Sequence, residues 1–177
     1  MIGYVFIFFI LLLEGIYFTA YNIQGAYPVF GNTLSAITFL FLILIPVLTM
    51  KTLAEERRQK TDQMLFTSPV SVENIVLGKY LALVTVYMIP VFVICFYPLI
   101  MSKYGTVSYA MAYTAILGFA FMGFAELSIG VFISSLTENP VIAAVVGFLV
   151  LFVCFMSEGI GSLVAETSVT SLVIYMV

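Results

Sequence analysis

The sequence predicts an all-α integral membrane protein of five complete transmembrane helices, a partial sixth or re-entrant segment, and one long polar loop between the second and third spans. Three observations predict it. The chain is 63% hydrophobic and 8% charged, against roughly 25% charged residues in a soluble domain, and its mean hydropathy is +1.21. The apolar residues fall in runs of about bilayer length. Five of the six basic residues, Lys51, Arg57, Arg58, Lys60 and Lys79, lie in one stretch. The whole chain, 1–177, reads as a single transmembrane domain with no internal repeat.

The first span covers residues 2–21 and is apolar apart from Glu14, long enough for a core of roughly 30 Å at about 1.5 Å per residue. A cleaved signal peptide competes with this reading, but there is no basic leader and no small-x-small cleavage site, so a retained span is predicted. Residues 22–33 contain Gly25, Pro28, Gly31 and Asn32 and no charge, which suits an outer turn. Residues 34–50 form the second span, with Pro46 near its inner end as a kink point.

The stretch 51–74 follows. Ionised side chains at a helix centre each cost about 2.5 to 3.5 kcal/mol in a bilayer, so this stretch belongs in water, and its basic residues make it cytoplasmic by the positive-inside rule. Residues 52–66 have helix-favouring composition without Gly or Pro. They end in a small apolar patch, Met64, Leu65 and Phe66, before a turn at Thr67, Ser68 and Pro69. Ser71 stands where an N-cap belongs, and Glu73 lies in the first turn of the helix that follows.

That helix runs over 72–101, with the span proper at 75–101. It exceeds bilayer length, so its first turns stand in the headgroups, where Lys79 can snorkel. Pro90 and Pro98 predict bends. Residues 102–108, with Lys103 and Gly105, form an outer turn. The fourth span is 109–133. Here Glu126, three residues after Gly123 and four before Gly130, shares a helical face with both, which turns the carboxyl toward protein and away from lipid. Residues 134–140 return on the inner side, and Pro140 starts the fifth span, 141–156, about 24 Å of helix. Residues 157–177 carry Glu158 and Glu166 and no basic residue, and are placed outside as a loop, short helix or re-entrant segment. A further apolar run begins at Ser171 and reads as the start of a partial sixth span.

Several function classes are excluded or disfavoured. There is no histidine, hence no common metal ligand or neutral-pH base, and no phosphate-cradling glycine loop or nucleophile elbow occurs. No catalytic residue, metal site or nucleic-acid site is assigned. Cys95 and Cys154 sit in apolar runs as small hydrophobes. An intramembrane enzyme ranks low, since no span holds a paired acidic motif. Glu126 and the weaker candidate Glu14 are intramembrane carboxyls and so candidates for a pathway. Glu126 reads equally as a ligand for a cation or polar substrate group and as a packing carboxyl.

The residues 54–82, AEERRQKTDQMLFTSPVSVENIVLGKYLA, resemble the permease subunits of type-2 ABC exporters, in particular the gliding-motility-type branch. Shorter matches are GYVF at 3–6 and SSLTEN at 134–139. Lys60 and Gln63 depart from the Gly and Glu that the family commonly has there. The resemblance implies a bacterial plasma-membrane permease that works as a homo- or heterodimer. It implies a separate cytoplasmic ATPase that alone binds ATP and Mg, and a short coupling helix between spans two and three. Carried onto this chain, the docking residues are Glu55, Glu56, Arg57, Arg58, Thr61, Asp62, Met64, Leu65, Phe66, Ser68 and Pro69. On the residues alone, the charged run reads more plainly as a solvated helix end and the apolar patch as a turn resting on the membrane surface. A non-transporting membrane anchor for a cytoplasmic complex is the alternative function.

Overall fold

The computed structural model describes residues 2–25, 29–58, 71–103 and 107–157. Among these there is helix and no strand. Five helical stretches are long and apolar enough to cross a membrane: Gly3–Gln24, Gly31–Arg58, Val72–Met101, Tyr109–Leu136 and Pro140–Ser157. Most of the docking stretch, from Thr61 to Pro69, and the presumed re-entrant region after Ser157 lie outside the described residues.

Helix α1 (Ile2–Tyr17) continues into a π-helical segment, Phe18–Gln24. The helix therefore outruns the turn expected from Asn22. The reason is a contact with the next helix: Asn22 is buried, and its Oδ1 accepts a hydrogen bond from the Thr33 hydroxyl at 2.5 Å, so its amide serves a contact within the bundle and not a turn. Helix α2 (Gly31–Thr49) contains Pro46 and leads into a short helix α3 (Ala54–Arg58). Helix α4 (Val72–Ile94) starts at Ser71, whose backbone is extended (φ −65°, ψ 144°). Ser71 holds the N-cap position, but its hydroxyl makes no capping bond.

Helix α4 breaks at Cys95 and Phe96 and resumes as α5 (Tyr97–Met101), placing the break between Pro90 and Pro98 as their sequence positions foretell. Helix α6 (Tyr109–Leu136) is unbroken. Helix α7 (Pro140–Ser157) begins behind Asn139, whose Oδ1 accepts from the Val141 amide at 3.0 Å as a side-chain N-cap.

Helices α1, α2, α6 and α4 pack as a closed ring, with α2 against α6 the most extensive contact. Helix α7 lies outside this ring and reaches α2 where Gly147 faces Pro46 and Phe155 meets Phe39 edge-on. The side chains inside the ring are mostly apolar and aromatic, with Glu14, Thr33, Thr49 and Glu126 buried among them, and those outside, such as Tyr4, Phe8, Phe92 and Phe121, are bare and suited to lipid. The end carrying α3 and the charged residues is called basal below, and the opposite end distal.

Candidate functional site

The basal end joins three helices through a few polar atoms. The Ser134 hydroxyl near the end of α6 accepts hydrogen bonds from the Leu53 and Ala54 amides at 3.3 and 3.1 Å, so α3 hangs from α6 by its first turn. Lys79 of α4 pairs with the Glu56 carboxylate of α3 and donates to the Thr52 carbonyl at 3.1 Å. Its ammonium thus reaches α3 at the polar basal end. Lys51 and Glu55 form an i,i+4 pair at 3.6 Å. Arg57 and Arg58 are exposed. Of the candidate docking residues the structure therefore places Glu55, Glu56, Arg57 and Arg58 on one short helix, tied to α4 and α6, and the others are outside the described residues.

Just above, α2 and α6 approach closely. A methyl on Gly130 would stand 2.5 Å from the Thr49 hydroxyl, which is held by the Ile45 carbonyl at 3.0 Å. One turn farther along α6, Glu126 is buried, and Gly123 leaves room for the Tyr87 ring. The small-residue face inferred from sequence thus packs on protein. A void with no room for a water molecule separates Thr38, Tyr87, Met122 and Glu126.

The middle of the ring is aromatic. Phe41 meets Phe6, Tyr87 and Phe119 edge-on, with centroids 6.4, 5.8 and 5.0 Å away. The Tyr87 hydroxyl donates to the Phe119 carbonyl at 2.8 Å. From this layer Glu126 lies seven residues beyond Phe119 toward the basal end, and Glu14 eight residues beyond Phe6 toward the distal end, each roughly 10 Å along its helix. Tyr87 is within electrostatic range of both carboxyls. Glu14 is fully buried, and neither carboxyl oxygen has a hydrogen-bond partner among the described residues. Glu14, the weaker pathway candidate in the sequence, is the more deeply buried of the two.

The family model described as an ABC-2 family transporter protein matches residues 2–174. The chain belongs to the ABC-2 family of transporters. It is accordingly a multi-pass membrane protein and a transmembrane permease component of an ABC transporter. No curated protein and no solved structure matches it.

Several side chains that shape this permease escaped the sequence reading. Ser134 was legible only as part of a return loop, and its acceptor role depends on a contact with residues some eighty positions earlier. Tyr87 had a readable signal. It lies seven residues after Tyr80, on the same helical face, and both hydroxyls donate to α6 carbonyls, Tyr80 to Phe124 at 3.2 Å.

Proposed function

We propose that this permease forms the translocation pathway of an ATP-driven exporter, of the gliding-motility-type branch, and receives its driving motion from a separate cytoplasmic ATPase docked at 51–74. The observation that carries this reading is the triple attachment of α3. A push on that helix bears at once on α2, which it continues, on α4 through Lys79–Glu56, and on α6 through Ser134. A solvated helix end that only marked topology would need none of these ties. Close-packed elements joined this way transmit a displacement as a unit.

The apolar patch Met64, Leu65 and Phe66, next along the chain, supplies the contact that fills a groove on the ATPase, and Thr61, Asp62, Ser68 and Pro69 flank it. ATP and Mg are bound and turned over in that partner. A second copy of the chain, or a homologous permease, completes the pathway, and lipid covers the bare apolar faces. One such face holds an open groove of about 550 Å³ between the basal ends of α4 and α6, walled by Leu53, Val76, Leu77, Tyr80 and Phe132. The basal end faces the cytoplasm of a bacterial cell.

The deciding experiment uses Phe66→Asp in the permease co-expressed with its partner ABC ATPase, sought first in the neighbouring reading frame. Loss of ATPase co-purification and of transport-coupled hydrolysis, with the permease still folded, is the expected outcome. Unchanged co-purification and hydrolysis refute docking at this patch. An anchor without a pathway is distinguished in vesicles, where it moves no substrate when ATP and the partner are present.

A further inference from the structure

Glu14 has no part in the docking reading, yet it is the charged residue type most deeply enclosed in the ring. Its carboxyl has no contact with solvent and no hydrogen-bond partner among the described residues. An ionised carboxyl in that setting has neither water nor a counter-charge to replace hydration. The titratable groups within electrostatic reach of it on the neighbouring elements are phenols, Tyr87 on α4 and Tyr97 on α5. Farther toward the distal end, the polar atoms of Asn22 on the π-helical segment and Thr33 on α2 are joined to each other. Glu126 on α6 is acidic and lies across the aromatic layer. Among the described residues no basic side chain is buried: Lys51, Arg57, Arg58 and Lys103 are exposed, and Lys79 is engaged with Glu56.

On the distal side of Glu14 three rings pack together. Phe18, one turn beyond Glu14, stacks on Tyr97 with centroids 4.5 Å apart, and Phe30 stands edge-on to both at 6.3 Å. Each ring sits at a backbone irregularity. Phe18 opens the π-helical segment, Tyr97 follows the break at Cys95 and Phe96, and Phe30 is the residue before α2. At such points the regular helical hydrogen-bond ladder is already interrupted, so a shift there sacrifices few bonds.

We propose that Glu14 is a proton-binding site, held shut toward the distal end by Phe18, Phe30 and Tyr97. When the rings separate and water enters, the carboxyl O–H bond breaks, the proton passes to that water, and the charge stays on the Glu14 carboxylate, now hydrated. Closing the rings expels the water and requires the proton back. The permease thereby carries a proton-linked step in its own opening and closing, in addition to any step driven by ATP.

Infrared spectroscopy of the full chain in lipid vesicles at neutral pH tests this without the ATPase, so its outcome is independent of the docking reading. The carbonyl band of a protonated carboxylic acid is expected in the wild type, lost in Glu14→Gln and displaced in Glu14→Asp, with the Glu126→Gln spectrum as control. A spectrum in which Glu14→Gln leaves every such band unchanged overturns the site. The closure is read by transfer into heavy water: Tyr97→Ala should speed deuterium shift of the Glu14 band at least several-fold, and an unchanged rate overturns the role of the rings. If the Gln variant does not fold, carbodiimide labelling of the wild type decides instead. Labelling of Glu14 that persists at neutral pH, where exposed carboxyls such as Glu73 no longer react, supports the proposal, and labelling that is lost on approach to neutral pH in step with the exposed carboxyls overturns it.

Discussion

At the scale of single residues, close approach of backbones matters more than hydrophobicity, because a membrane interior offers apolar contact everywhere. Gly130 shows this. A Cβ there would meet the Thr49 hydroxyl at 2.5 Å and its γ-methyl at 2.8 Å, and Thr49 is itself tethered to the Ile45 carbonyl. Gly130→Val is therefore expected to destabilise the permease by about 1–3 kcal/mol through overpacking. Adding Thr49→Ala should restore part of that loss, since it removes the two nearest atoms. Thermal unfolding of the single and double variants in detergent reads both effects, and a Gly130→Val variant as stable as wild type would mean that α2 and α6 are farther apart than described. The face was legible in the sequence from Gly123, Glu126 and Gly130 at helical spacing. The identity of its partners was not, because nothing in the spacing of α6 points to Thr49 or Tyr87.

At the scale of elements, the apolar runs and the Pro positions announced the helices, while their ends followed contacts made far away in sequence. Helix α1 extends to Gln24 since Asn22 finds Thr33, and α3 is held by Ser134 and Lys79. Turn propensity speaks only of neighbours, so it put a loop at Asn22, and nothing near Lys79 in the sequence pointed to Glu56. The attachment of α3 has a measurable consequence. Ser134→Ala strands the Leu53 and Ala54 amides, the second fully buried, and should cost about 1 kcal/mol locally. Hydrogen exchange is expected to quicken at the amides of α3 and not at those of α1, whereas equal protection of α3 in the variant would remove Ser134 from its anchoring role. The Lys79–Glu56 pair is still partly open to solvent, so its own share of global stability is on the order of 1 kcal/mol. Its contribution is to direction: it ties the base of α4 to the helix on which the ATPase is proposed to act.

At the scale of the whole molecule, charge is segregated along the bundle. Lys51, Arg57, Arg58 and Lys79 cluster at the basal end, and Lys103 stands at the distal end of α5. Insertion weighs basic residues in short connections far more than acidic ones, so the net charge of −3 is silent about orientation and the expectation rests on this asymmetry. The basal end should face the cytoplasm. With Cys95 and Cys154 replaced by Ala, a cysteine at Lys103 is expected to react with a membrane-impermeant maleimide in intact cells. One at Arg57 should react only after permeabilisation, both positions being exposed. Reversed labelling would put α3 on the wrong side of the membrane for a cytoplasmic ATPase and remove the docking reading with it. It would leave Glu14 untouched, because the enclosure of that carboxyl is set by packing inside the ring and not by which way the ring points.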